Sequence, residues 1–304
     1  MAFAQTYRAQ VELLIRTLPH VAAEDCFAMK GGTAINFFVR DLPRLSVDID
    51  LTYLPIQPRE VSLVEIEAAL TRTAGRLSSS LPGAHIQAPR ADNLLTKLIV
   101  RNQGVQIKVE VTPVLRGCVF EPEIRSVAPI AERIFGFAEM RIVSLPDLYA
   151  GKIVAALDRQ HPRDLFDVRE LLANKAIDNR LRQAFIVYLL SHGRPMAEVL
   201  NSPQKDIAQE FARGFVGMTA DPVDLEELIK AREELVAQIV SNMPEDHREF
   251  LISFEEGEPD WALLGVDLVP DLPAVRWRQQ NLDKLSDEDR GKLVAQLEAV
   301  LIDR

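Results

Sequence analysis

Residues 29–53 read MKGGTAINFFVRDLPRLSVDIDLTY. Two glycines stand side by side, and an Asp-x-Asp follows inside SVDIDLTYL, an alternating run rich in β-branched residues that reads as a strand. Side chains two apart on a strand leave the same face, so Asp48 and Asp50 are placed together, about 7 Å apart along the chain. Two carboxylates that close repel one another, and burying them uncompensated is costly. A shared divalent cation removes that cost, since Mg²⁺ takes oxygen ligands from one or two carboxylates and from substrate phosphates. Alone, the pair fits an exposed edge strand with two solvated carboxylates equally well.

Three neighbouring features bear on that choice. Gly31-Gly32 is followed by Thr33, placed as the N-cap of a short helix, TAINFFVRDL. Glycine lets backbone approach a ligand closely, and a helix start offers free N–H groups to an anion; taken alone, the pair is simply a tight turn. QIKVEVTP (106–113) is a second alternating strand with Lys108, Glu110 and Thr112 on one face. Paired beside the first strand, it would bring Glu110 to Asp48 and Asp50 as a third acid; read separately, it is a solvated face. DLYAGKIVAALDRQHPRDLFDV (147–168) puts Lys152 on an apolar helix ahead of a dense Arg-Asp cluster. A surface lysine is the plain alternative, but the apolar run Ile153–Ala156 argues that its charge faces a cleft. Together these parts describe phosphoryl-group chemistry on a nucleoside triphosphate, with Mg²⁺ or Mn²⁺ as the ion.

Around this centre the periodicities divide the chain. QTYRAQVELLIRTL (5–18) is an amphipathic opening helix, CFAMK a short strand running into the glycines, and 58–81 a helix. AHIQA, LTKLIVR and VQIKVEVTPV are further strands, the last two joined by the hairpin signal Asn102-Gln103-Gly104. Beyond about residue 140 the strand signals stop and the segments are helical, several of them opening with Asp, Asn or Ser. Strands followed by helices predict an α+β chain: a catalytic domain over 1–143, a mixed sheet flanked by helices, and a helical domain over 144–304 that contributes Lys152 and Asp164 to the site. Trp261 and Trp277 are expected as packing anchors of the helical part.

The 304 residues are 47% hydrophobic and 26% charged, ordinary for a globular protein, with a formal net charge of −10. The acidity is confined: residues 195–304 hold 24 acidic and 11 basic side chains, whereas residues 1–140 hold 15 of each. A polyanionic substrate therefore finds a neutral to basic surface in the first two-thirds. No signal peptide or membrane span is expected, and the two cysteines, Cys26 and Cys118, suit a reduced cytoplasmic protein. Gly151-Lys152 is followed by Ile153, so no P-loop is present; neither a kinase motif set nor Gly-x-Ser-x-Gly occurs.

The ordered set KGGTAINFF…RLSVDID, then KVEVTP, then DLYAGKIVAALDRQHPRDLFDV, spanning roughly residues 25–175, resembles the AbiEii/AbiGii toxin family of DNA-polymerase-β-like nucleotidyltransferases, which includes the mycobacterial MenT toxins. The resemblance implies that Gly31, Gly32 and Thr33 hold the phosphates of the nucleotide. It makes Asp48 and Asp50 the catalytic metal-binding pair, with Glu110 completing the metal site. Lys152 would contact the triphosphate, and Asp164 would be the essential acid of the Arg-Asp cluster. Ser46 matches a position phosphorylated in part of the family, a candidate for regulation. The family transfers a nucleotide from an NTP to RNA, for some members the 3′ end of tRNA, which blocks aminoacylation and translation. Its members are toxins of abortive-infection, type IV toxin–antitoxin systems, countered by a cognate antitoxin without a stable complex. Lys30, Arg40, Arg44, Arg159, Arg163 and Arg169 are then candidate RNA contacts. A nucleotidyltransferase acting on a protein or small molecule, and a non-catalytic nucleotide-binding protein, stay open as alternatives.

Overall fold

A computed structural model describes residues 5–174 and 176–302, with the side chains of 5 and 6 left out. The chain forms two compact bodies. The first comprises the described residues of Met1–Ser144 together with Phe215–Val223; the second comprises Leu145–Gly214 and Asp224–Arg304, again over the described residues.

In the first body, helix α1 (Gln5–Ala22) is followed by β1 (Phe27–Lys30), the four-residue helix α2 (Gly31–Ala34) with a wide turn over Ile35–Val39, β2 (Asp48–Tyr53) and α3 (Arg59–Ser80). Then come β3 (His85–Gln87), a small hairpin of β4 (Arg90–Ala91) and β5 (Leu94–Leu95), β6 (Lys97–Asn102) and β7 (Val105–Arg116). The body closes with β8 (Glu123–Ser126), α4 (Pro129–Phe135) and β9 (Glu139–Ile142). Seven strands make one mixed sheet in the order β3-β6-β7-β2-β1-β9-β8. β2 runs parallel to β7 and β1 parallel to β9, while the remaining pairs are antiparallel.

The sequence explains much of this. In β1, Phe27, Ala28 and Met29 are fully buried, as an unbroken apolar run near the middle of a sheet should be. β6 and β7 alternate, with Leu98, Val100, Ile107, Val109 and Val111 buried. Gln103 and Gly104 join them as a two-residue loop, both at positive φ (48° and 80°), the twist that suits a tight hairpin. Two strands of the seven-stranded sheet go beyond the expectation: β8 and β9 are short, and Glu123–Ser126 is too polar to announce itself by alternation. The segment Phe215–Val223 also returns to the first body. Leu45 N–H donates to the Met218 carbonyl (2.7 Å) and Ala220 N–H to the Pro43 carbonyl (2.8 Å).

The second body is helical. It contains α5 (Leu145–Asp158), α6 (Pro162–Asn174), α7 (Asn179–Leu190), α8 (Met196–Leu200), α9 (Ala208–Gly214), α10 (Leu225–Val236), α11 (Glu245–Glu256), α12 (Trp261–Leu264), α13 (Pro273–Leu282) and α14 (Asp287–Leu301). α5 is buried nearly all round, with Leu148, Tyr149, Ala150, Ile153, Val154, Ala156 and Leu157 in the core. It packs against α7 at Gly151, where a Cβ would stand 3.1 Å from the Tyr188 ring. The starts carry the expected caps: Asp178 accepts from Leu181 N–H (2.9 Å), and Asp224 with Glu227 forms a capping box. Trp261 does anchor packing, with Phe250 and Phe254 at centroid distances of 5.4 and 6.0 Å. Trp277 does not: it is 56% exposed on α13. Among the described residues no helix is long and apolar enough to cross a membrane.

Candidate functional site

In the first body the chain leaves β1 at Lys30 and turns at Gly31, whose φ of +76° is a conformation glycine adopts without strain. Both glycines are also pressed from the side. A Cβ on Gly31 would lie 2.5 Å from Asp50 Oδ2; one on Gly32 would lie 2.5 Å from Arg44 Nη2 and 3.1 Å from Ser46 Oγ. The pair therefore lets an acid and a guanidinium of this same chain close on the backbone. Thr33 is not the N-cap that its position suggested, because Lys30 occupies that place and the turn begins at Gly31. The Thr33 hydroxyl points inward: it donates to the Asp48 carbonyl (2.5 Å) and lies 3.0 Å from Ser46 Oγ. It thus ties the glycine turn to the first residue of β2.

The alternation of β2 leaves Asp48 and Asp50 half-buried on one face while Ile49 and Leu51 fill the core. Register then builds a row of charge across four strands: Lys30 faces Asp50, Asp50 faces Glu110, and Glu110 faces Lys97. The signs run plus, minus, minus, plus. Lys30 Nζ donates to Thr112 Oγ1 (2.9 Å), and Lys97 Nζ lies 3.3 Å from Glu110 Oε2. Burial draws the Lys30 ammonium below the usual lysine value, opposed by Asp50, Cys118 and Glu110. The three-acid cluster expected from the strand pattern is not formed: among the described residues no group of three His, Cys, Asp or Glu is arranged around a metal position. Glu110 has the expected register, but its exposed carboxylate pairs with Lys97. Asp48 and Asp50 remain as hard oxygen donors on one accessible face. That donor set fits a divalent cation which completes its shell from phosphates and water.

One expected RNA contact is corrected by its burial. Arg44 is 1% exposed and donates through Nη1 to the Leu45 carbonyl (2.8 Å), so its guanidinium serves the interior against Gly32. Lys30 is half-buried on the sheet face, where its Nζ donates to Thr112. Arg40 lies half-buried at the end of the wide turn. Ser46 is buried beside Thr33, so its hydroxyl is reached only if that turn opens.

In the second body Lys152, on α5, is buried, and its Nζ lies 2.8 Å from Asp164 Oδ1 and 3.1 Å from Asp167 Oδ2, both on α6. Arg159 adds Nε at 2.5 Å to Asp164 Oδ2 and Nη2 at 3.0 Å to Oδ1. Burial pushes the Asp164 carboxyl upward, but Lys152 and Arg159 outweigh it and hold the group well below the ordinary carboxylate range. Sequence reasoning named Lys152 and Asp164 but missed Asp167. The signal was available, since three residues on from Asp164 lies the same helix face. Arg163 is half-buried at the start of α6. Arg169 is engaged with Glu170 (2.8 Å) and Glu227 (2.6 Å).

Comparison with known proteins bears on what such residues do. Residues 12–281 match the family described as "Nucleotidyl transferase AbiEii toxin, Type IV TA system". Among solved structures the chain is similar to MenT4, a nucleotidyltransferase toxin from Mycobacterium tuberculosis H37Rv. The TM-score is 0.59 at 16% sequence identity, covering 91% of this chain and 93% of that one. At that identity the likeness is one of fold. No curated protein matches the sequence.

Proposed function

The chain belongs to the AbiEii family of nucleotidyltransferase toxins of type IV toxin–antitoxin systems, and on that premise we propose that it transfers a nucleotide from an NTP to RNA, at the 3′ end of tRNA, and so blocks translation. The reaction belongs in the cytoplasm, where a cognate antitoxin counters it without a stable complex. The observation that carries the reading is Asp48 and Asp50 on one accessible strand face beside a double-glycine turn.

In this reading Asp48 and Asp50 hold Mg²⁺ or Mn²⁺, which when bound supplies positive charge against the phosphates. Thr33 fixes the start of β2 through the Asp48 carbonyl, which sets where that carboxylate stands. Lys30 faces Asp50 in register and tempers the repulsion between the acids. The turn at Gly31, Gly32 and Thr33 is the place for the triphosphate. The acceptor hydroxyl forms the new ester bond to the α-phosphorus as the bond to the β-phosphate breaks, releasing pyrophosphate and the hydroxyl proton. Lys152 and Asp164 are proposed as residues transfer requires, and Asp167 joins them because it shares the Lys152 ammonium. Glu110 is proposed only as an outer acid, since Lys97 already claims it.

The test is purified protein with Mg²⁺, total cellular RNA and each of the four α-³²P-labelled NTPs in turn. Label on a tRNA-sized band, preferring one NTP and lost in Asp48→Ala, supports the reading. Label on protein instead of RNA overturns the RNA acceptor and keeps the transferase. Label nowhere, with no pyrophosphate released, overturns transfer itself.

A further inference from the structure

Away from the acidic face, the first body carries two arginines that no acid answers among the described residues. β2 and β7 slip register after Thr52, and the irregularity places Arg116 opposite Tyr53. Tyr53 belongs to the alternate set of β2, with Ile49 and Leu51, and its hydroxyl bonds to Gln57 (3.1 Å) and to Glu65 of α3. Arg116 is therefore set on the face opposite Asp48 and Asp50, beside the beginning of α3. It is 6% exposed, and its Nε and Nη1 have no hydrogen-bond partner. Among the described residues no carboxylate lies within ion-pair distance of it.

Its charged neighbour has the wrong sign for relief. Arg59, the first residue of α3, is exposed and pairs with no carboxylate among the described residues. Burial, with Arg59 adding repulsion, pulls Arg116 below the usual arginine value, and Tyr53 opposes this only weakly. α3 is 22 residues long, and its N-cap position is Pro58, with no side chain capping the first-turn N–H groups. Glu60, in that same first turn, pairs with neither arginine among the described residues. A buried guanidinium without an acceptor is an expensive group to keep. Two guanidinium groups near enough to repel one another and a helix start without a side-chain cap together suit an oxyanion.

We propose that Arg116, Arg59 and the N-terminus of α3 form a binding site for a phosphate group, separate from the face that carries Asp48 and Asp50. The ligand is either free phosphate or a phosphodiester of an RNA strand. The chemistry is the same for both, and the inference does not depend on the transfer reading above.

The test uses the full chain in EDTA, so that metal-dependent binding at the acidic face is silent. Thermal unfolding is followed as sodium phosphate replaces sodium chloride at constant ionic strength. The melting temperature of the wild type rises with phosphate, and the apparent phosphate affinity falls about tenfold in Arg116→Met and in Arg59→Ala. Without phosphate, Arg116→Met melts no lower than wild type, because an unanswered buried charge has been removed; a purely structural arginine would melt lower. Arg59→Ala, at an exposed position, gives the same reading should the buried variant fold poorly. A second arm measures anisotropy of a labelled single-stranded RNA 12-mer. Loss of RNA binding in both variants identifies the phosphodiester as the ligand, and loss confined to the phosphate arm identifies the free anion. Phosphate dependence that is absent, or equal in all three proteins, overturns the site.

Discussion

The acidic face of the first body and the buried cluster of the second handle charge in opposite ways. On the sheet, Asp48 and Asp50 stand half-buried, with Lys30 in register on one side and Glu110, already paired to Lys97, on the other. In the helices, Lys152 is enclosed by Asp164 and Asp167, and Arg159 closes over Asp164 from outside. The first arrangement leaves acid in reach of solvent, so a cation gains by arriving. The second is satisfied from within, and taking away either partner leaves a buried charge exposed to a low dielectric. Damage to the first should therefore register in activity with little loss of stability, and damage to the second in stability as well as in activity.

That contrast can be broken by experiment. The largest effect is expected at the sheet: Asp48→Ala and Asp50→Asn should each lower nucleotide transfer about a thousandfold or more while leaving the melting curve close to wild type. A folded variant with full activity would remove the acidic pair from the mechanism. In the helices, Asp164→Asn should cost about 3 kcal/mol of stability in urea titration, with Asp167 limiting the damage. A variant that stays as stable as wild type would mean that the cluster does not hold the second body together.

The same variant sharpens the comparison through pH. The Asp164 carboxyl is held low in the folded protein, so its stabilisation is complete above the ordinary carboxylate value of about 3.9 and is lost as pH falls through the folded value. Acid unfolding followed by circular dichroism should therefore begin below about pH 4, and that limb should flatten in Asp164→Asn. A smaller effect is expected from Gly32→Ala. The new methyl would meet Arg44 Nη2 at 2.5 Å, and Arg44 is buried with little freedom to yield. The loss should be about 1–3 kcal/mol in denaturant unfolding, with transfer lowered as the turn shifts.

Much of the acidic face could be read in advance because strand alternation is a local property. SVDIDLTY and QIKVEV fix which side chains share a face, and a hairpin at Gln103-Gly104 follows from the backbone that glycine permits. Register is not local. Nothing in the one-dimensional pattern sets Glu110 against Lys97 more firmly than against the two aspartates, and the pairing decides whether three acids converge. The double glycine was legible as a close approach, but what approaches, Asp50 and Arg44, emerges only once β2 folds back beside the turn. Arg44 and Arg116 show the limit most plainly. An arginine in sequence reads as surface charge, and only the packed chain reveals that both lie inside.

The return of Phe215–Val223 bears on how the protein is made. The strip that supports Pro43–Leu45, and through it the approach to Asp48, comes from residues about 175 positions later, Met218 to Ala220. A ribosome that has released the whole seven-stranded sheet has still not supplied this partner. The segment leading to the acidic pair acquires these two backbone bonds only after the second body's first five helices, α5 to α9, have been synthesised. Completion of the toxin's acidic face is thus timed late in translation, by the very machinery whose output the finished protein is proposed to stop.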